Sequence, residues 1–383
     1  MLAAQGIPKM AAAVAFDETG GPITFRPEHP VKQPGELKPG EVLVKVEYTD
    51  TDLHAYKGDW PIPSKRPLVG GHEGTGPIVA IAGKSSRLSP LASRLSPLAS
   101  RLSPLAPRLS PLAPRLSPLA PRLSPLASRR GRTNLRLGQN VGLKWMADSC
   151  LNCELCRTGY ESSCPQLQLH GFTVDGSFQQ YAVSFARHVT PIPEGLPLSL
   201  ASPILCGGLT VYKAIKNCRT KATTAIGLQV VAIDTGDDKK KLCASYGADK
   251  FVDFMEHKDP AALIDAVKKV CDGLGPHAAV IAAAGAAAYE QALQYLRPSG
   301  TLVAVGLPHD AYIKANVFWT VLRNLHIVGS HVGNRQDAIE ALDFAARGKV
   351  APRIEIAPLS KLPEVYDRMD KGLLPGRVVL KNF

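Results

Sequence analysis

Cys150, Cys153, Cys156 and Cys164 stand in the pattern Cys-x2-Cys-x2-Cys-x7-Cys. Short turns between the thiols let four thiolates close a tetrahedron around one ion, and zinc is the ion this donor set suits. Four protein ligands leave no open position, so a zinc held this way would be structural. An iron–sulfur cluster is the weaker competitor for the same thiolates. The chain has 8 cysteines in 383 residues. That is no disulfide scaffold, and the clustering fits a reducing compartment.

A second chemical signal ends the apolar run at residues 228–234, which reads as a buried parallel strand closed by Asp234. In a Rossmann fold such an acid grips the adenosine ribose, about 20 residues after a glycine-rich phosphate loop. Here Gly227 is the only glycine just before the strand. The carboxylate stands without the expected phosphate cradle.

The elements that must position these groups follow from texture. Val42, Val44, Val46 and Tyr48 alternate with Leu43, Lys45 and Glu47, the period of a strand. Gly- and Pro-rich turns separate short strands over the first 80 or so residues, as in a compact barrel-like domain. Strands return at 141–145 and within 176–189. From about 209 to 328 helices alternate with apolar strands at 230–233, 279–283 and 301–305, which predicts a parallel sheet. A helix over 336–347, closed by Gly348, leads to a last strand near 377–380.

The net charge of +12 would suggest a polyanionic partner. Its distribution argues otherwise. Residues 84–136 hold one lysine, ten arginines and no acid, so the rest of the chain is left with a charge of only +1. No nucleic-acid partner is expected. Within this stretch, 87–128 is six heptads of Arg-Leu-Ser-Pro-Leu-Ala followed by Ser or Pro. Proline in every heptad excludes a coiled coil and predicts a disordered, partly polyproline-II surface loop. Three copies match Arg-x-x-Pro-x-x-Pro, a pattern that SH3 grooves read, which defines an adaptor alternative. No run of 18 apolar residues and no signal peptide is evident, so a cytoplasmic protein without a membrane span is expected.

The four-cysteine lobe, Gly70-Gly-His-Glu-Gly74, Cys206 within Pro203-Ile-Leu-Cys206-Gly-Gly and Val332-Gly-Asn-Arg335 together resemble the zinc-dependent alcohol dehydrogenases. These are medium-chain dehydrogenases of the microbial tetrameric type, and the likeness runs over most of 1–83 and 137–383. It implies an α/β protein with a GroES-like β-rich catalytic domain and a Rossmann-like parallel-sheet domain. The parts would be 1–83, first catalytic part; 84–136, the insert; 137–208, second catalytic part with the structural zinc lobe; 209–330, a truncated NAD-binding domain; and 331–383, a return to the catalytic domain. The implied reaction is NAD-linked oxidation of a small primary alcohol to an aldehyde in a homo-oligomer, a tetramer by resemblance.

The resemblance also implies roles for residues. His72 and Cys206 would hold a second, catalytic zinc, with Glu73 beside them. Thr51 and His54 fall on the proton-relay hydroxyl and imidazole, Trp60 and Trp145 on aromatic positions that narrow the pocket toward short alcohols. Asp234 and Lys239 fall on the ribose-binding acid and its neighbour, favouring NAD over NADP, and Arg335 would hold the pyrophosphate. Taken alone, His72 could be a turn residue, Cys206 a small core residue and both tryptophans plain core.

Two departures from the family pattern stand out. Its third zinc ligand is a cysteine just before the relay threonine; here the chain reads Tyr48-Thr-Asp50-Thr51, about three residues short, with Asp50 one position out of register. Between Lys221 and Gly227 only five residues replace a strand, a phosphate loop and a helix. Five residues span at most about 18 Å, and a βαβ crossover needs at least 10–12. The first strand, loop and helix are therefore expected to be missing. These losses predict weak cofactor binding and poor turnover, and they define a second alternative: an inactive family member, or a mis-assembled gene product, serving as a subunit or scaffold.

Overall fold

The computed structural model describes residues 6–51, 53–83, 134–219, 228–257, 259–283, 285–374 and 376–383. The proline-rich heptads and the segment 220–227 lie outside these residues.

The β-rich part is built as expected, with one change of detail. Strand Glu41–Lys45 lies between strands Tyr181–Phe185 and Gly74–Ile81, and Val42, Leu43 and Val44 are all fully buried. The period-two run does not continue to Tyr48. It stops at Lys45, and Tyr48 opens a separate short strand, Tyr48–Asp50. Apolar side chains cover both faces of the first strand, so alternation there does not mark a wet face. Strand Tyr48–Asp50 lies between Gly74–Ile81 and the last strand, Arg377–Lys381, with Asp50 opposite Val379. That register brings a turn from the start of the chain and an arginine from its end to one place.

Gly74–Ile81 also pairs antiparallel with Asn140–Leu143. The described residues on either side of the basic heptads are therefore held by a strand pair.

The parallel-sheet part shows the expected break. Val231–Asp234 pairs in parallel with Lys250–Asp253, and Ala278–Ile281 with Thr301–Ala304 and His326–Gly329. Among the described residues no strand joins these two sheets. They still share one core, in which Val231 and Ile233 pack against a cluster containing Val252, Ala279, Ile281 and Leu302. The strand ending in Asp234 is only half-buried throughout, whereas a central strand would be covered on both sides. The expected parallel elements thus form, minus the strand that should stand between them.

Helical residues 198–217 are long and apolar enough to cross a bilayer by length and composition, at a mean hydropathy of 1.4. Their surroundings account for that character: Ala201, Leu205, Leu209 and Ala214 are buried in the core. A π-turn at Ile204–Gly208 interrupts the run and presents Cys206. Widened turns of this kind are often found at functional sites.

Candidate active site and metal centres

The four-cysteine lobe is pre-shaped for an ion. Sγ···Sγ separations are 3.9 Å for Cys150–Cys156, 3.9 Å for Cys153–Cys164 and 3.6 Å for Cys150–Cys164. A tetrahedron with zinc–sulfur bonds of about 2.3 Å has edges of about 3.8 Å. Backbone N–H groups already aim at the sulfurs: Cys153 N donates to Cys150 Sγ at 3.2 Å and Gln166 N to Cys164 Sγ at 3.4 Å. Two such donors, from Asn152 and Cys153, pull the Cys150 thiol down to about 6, while burial pushes Cys156 up to about 12. The donors and their spacing fit zinc.

The second cluster is assembled from distant segments. Gly70 and Gly71 carry the chain beneath Phe16 and Phe178: a Cβ on Gly70 would stand 2.4 Å from Phe16, and one on Gly71 (φ +84°) 2.5 Å from Phe178. Only glycine permits this approach, and it sets His72 two residues before strand Gly74–Ile81. The π-turn brings Cys206 opposite, hydrogen-bonded to the His72 ring. His72, Glu73 and Cys206 each present a ligand atom, all within 4.8 Å of one another, with His72 Nε2 3.4 Å from Glu73 Oε1. Imidazole, carboxylate and thiolate are all zinc ligands, and three of them leave a fourth position for a substrate.

Asp50 is fully buried behind this trio and does not join it. Its carboxyl meets that of Glu73, and burial first, then the Glu73 charge, push it up to about 7. Arg377 is the neighbouring cation, Nη1 3.6 Å from Asp50 Oδ2, and its guanidinium is held above its usual range by Asp50 first, then by Glu73 and Cys206. Burial also raises the Cys206 thiol. Sequence reasoning placed Asp50 as a misplaced ligand and overlooked Arg377, which no local spacing ties to the site.

Aromatic rings stand beside the cluster. The Trp145 ring stands 5.1 Å from His72, 5.6 Å from Trp60 and 4.6 Å from Phe172. Trp60 stacks on His54 at 4.3 Å and on Phe172 at 5.6 Å. Trp145 thus lies against His72 and Trp60 against His54, and Phe172, which composition could not single out, packs on both tryptophans. His54 Nδ1 lies 2.9 Å from Asp59 Oδ1, and Thr51 is buried with its N–H donating to Asp50 Oδ1 at 2.8 Å.

Asp234 ends its strand as expected. Its Oδ1 accepts from Thr235 N and from Lys239 Nζ, each at 2.8 Å, and the carboxylate stays 40 % exposed. Arg335 is placed against the cysteine lobe. Its Nε and backbone N–H donate to Glu161 of the cysteine lobe at 3.1 and 2.7 Å, and no described contact joins it to Asp234 or Lys239. The buried Glu161 carboxylate needs a partner, and the side chain expected to meet pyrophosphate supplies it.

A β-rich domain with a closed thiolate lobe and an open three-donor cluster, joined to a parallel-sheet domain with a ribose-type acid, defines a zinc-dependent dehydrogenase. Residues 126–194 match the alcohol dehydrogenase GroES-like domain and 217–347 the zinc-binding dehydrogenase family. Alcohol dehydrogenase 1 of Emericella nidulans is 39 % identical over 398 aligned positions, covering 98 % of this chain and 99 % of the relative. The alcohol dehydrogenase of Schizosaccharomyces pombe is 38 % identical, covering 98 % of each. Among solved structures, the alcohol dehydrogenase of the archaeon Aeropyrum pernix superposes with a TM-score of 0.74 at 23 % identity, covering 97 % of this chain and 99 % of that one. The chain belongs to the zinc-dependent alcohol dehydrogenases. An alignment of 398 positions is longer than the 383-residue chain, so the relative carries residues that are absent here. Likeness over the whole length supports the enzyme over the inactive and adaptor alternatives.

Proposed function

We propose that this chain interconverts short primary alcohols and aldehydes with NAD at the cluster of His72, Glu73 and Cys206. The observation that carries the reading is that open donor set lying against the Trp145 ring. A zinc held there supplies a Lewis acid that lowers the pKa of an alcohol hydroxyl. Net, hydride leaves the alcohol carbon for NAD⁺ and one proton is released.

The chain's own residues handle that proton and the substrate's shape. The Thr51 hydroxyl takes the proton, and His54, half-exposed and steadied by Asp59, passes it to solvent. Trp60, Trp145 and Phe172 set apolar rings beside the donor cluster, which would favour a short apolar chain over a polar one. Asp234 and Lys239 receive the ribose, where a carboxylate favours the free 2′-hydroxyl of NAD. The thiol-borne sites fit a cytoplasmic setting.

A homo-oligomer belongs to the same proposal. Val317, Phe318, Val321 and Leu322 are each more than 60 % exposed on helix Val317–Leu322, close in sequence to the edge strand His326–Gly329. A second copy would cover that apolar face, and light scattering on the purified chain should report more than a monomer.

The function test is NADH formation from ethanol, butanol and octanol with zinc present. Turnover falling with chain length supports the proposal, and Trp60→Ala should relax that preference. No NADH from any alcohol would sink it.

A further inference from the structure

We infer that His170 is a positioning residue for the substrate pocket: its ring and its backbone N–H bracket Trp145 and fix how that indole lies beside the donor cluster. The inference rests on the proposed function and deepens it by naming what holds the pocket's shape.

His170 grips two consecutive carbonyls. Its Nδ1 lies 2.8 Å from the Lys144 carbonyl, which can only accept, so Nδ1 carries the proton and donates. Its backbone N–H donates to the next carbonyl, that of Trp145, at 3.0 Å. These carbonyls belong to the two peptide planes that flank the Trp145 Cα. Holding both planes fixes φ and ψ of Trp145, and with them the direction in which the side chain leaves the backbone.

The same residue leads into the turn that carries Phe172. Its neighbour Gly171 packs on Gly71, where an added Cβ would stand 2.9 Å from the Gly71 carbonyl oxygen. Phe172 then meets the Trp145 ring at 4.6 Å and 78°, and Trp145 stands 5.1 Å from His72. One residue thus ties both rings to the loop that carries His72.

The surroundings say why an imidazole stands there. His170 is buried beside Leu169 and Phe172, which share an apolar cluster with Trp145. Its Nε2 is buried and has no hydrogen-bond partner among the described residues. A buried polar atom without a partner costs stability, and an apolar side chain would avoid that cost. What the imidazole adds is the bond from Nδ1 to the Lys144 carbonyl. Lys144 is anchored at its other end too, its Nζ donating to the His188 carbonyl, so the clamp bears on a fixed support.

The test compares three variants of the full chain. In His170→Asn the amide nitrogen takes the place of Nδ1. His170→Leu fills the space without a donor, and His170→Gln carries its amide to the place of Nε2 instead. Each is assayed with zinc for kcat and KM on ethanol and octanol, and near-ultraviolet circular dichroism reports the packing of Trp145 on Phe172. Apolar pockets distinguish substrates by about tenfold or more per methylene, so a pocket that loses its shape should lose about tenfold of the ethanol preference. That loss, carried by KM and joined by a weaker aromatic signal, is expected in His170→Leu and His170→Gln. His170→Asn should keep the wild-type preference and signal. The glutamine variant decides the matter where the leucine variant does not fold.

Unchanged preference in both His170→Leu and His170→Gln would overturn the assignment, as would a loss in His170→Asn equal to theirs. A drop in kcat shared by both alcohols, with preference kept, would also overturn it, since that is what a merely structural role gives. In each case NADH is still formed and the dehydrogenase reading stands. No NADH from wild type with any alcohol would sink that reading and leave the dichroism to decide. A signal lost in His170→Leu and His170→Gln but kept in His170→Asn then upholds the clamp, and an unchanged signal refutes it.

Discussion

Arg335 clips two elements together by donating to Glu161, with Nε 3.1 Å from both carboxylate oxygens and its own backbone N–H 2.7 Å from one. The contact joins the start of helix Arg335–Ala346 to the cysteine lobe, and Asn334 Nδ2 reinforces it by donating to Gly159 O at 3.1 Å. Glu161 is 3 % exposed, so its charge relies on this partner. Arg335→Ala should therefore lower stability by about 1–3 kcal/mol, the cost of stranding a buried polar group, and leave NAD affinity unchanged. Denaturant melts and calorimetric NAD titration check this. A tenfold weaker NAD affinity, about 1.4 kcal/mol, with an unchanged melt would restore Arg335 to the cofactor site.

The cysteine lobe carries a separate prediction. Its short S···S distances need a cation to hold four sulfurs together once they are ionised, so zinc binding there is coupled to folding. Cys153→Ser should remove one zinc per chain and lower the melting temperature. It should leave the zinc at His72 and Cys206 in the fraction that folds. Elemental analysis showing unchanged zinc in this variant would refute the four-thiolate site.

In the parallel-sheet part, Asp234 has one oxygen tied to Thr235 N and Lys239 while the carboxylate stays 40 % exposed. That leaves it able to accept from ribose hydroxyls and to repel a 2′-phosphate. Asp234→Ala should weaken NAD about tenfold or more, in line with a charge-assisted hydrogen bond of about 1.5–3 kcal/mol, and leave NADP binding unchanged or tighter. Equal losses for both nucleotides would mean that Asp234 serves only its strand end.

How much of this was legible in the sequence depended on the range of the interaction. The four thiols lie within fifteen residues, so spacing alone suggests their geometry. The gap in the parallel sheet was legible too, because five residues cannot make a crossover. His72 and Cys206 come from distant segments, and only the family likeness joined them. Arg377 reaches the site through long-range strand register and Phe172 through its ring contact with Trp145, neither of which a local pattern carries. For Arg335 the motif pointed to pyrophosphate, while its partner in the fold, Glu161, comes from a distant segment that no local spacing ties to it.

Lys144 yields the last prediction. It is 1 % exposed, its Nζ donates to the carbonyl of His188, and burial, opposed by Glu161 and aided by Arg335, lowers it from 10.5 to about 7. No carboxylate is paired with it among the ion pairs of the described residues, so folding must neutralise or strand a charge. The folded value lies below the unfolded one, so between pH 7 and 10.5 the unfolded chain binds more protons. Stability from this group must then rise with pH across that window, and its full cost remains below pH 7. That cost is on the order of 4 kcal/mol at neutral pH. Lys144→Met keeps the length and volume of the side chain but removes the charge, at about 1–3 kcal/mol for the His188 carbonyl left unpaired. The variant should be more stable than wild type at pH 7, by about 1–3 kcal/mol once both effects are counted. Its advantage should shrink and reverse toward pH 10.5. Denaturant midpoints for both proteins at half-unit steps from pH 6.5 to 10.5 measure the difference directly, since other titrating groups cancel between them. A difference that stays constant over this range would show that Lys144 keeps its proton in the fold and that a partner compensates it.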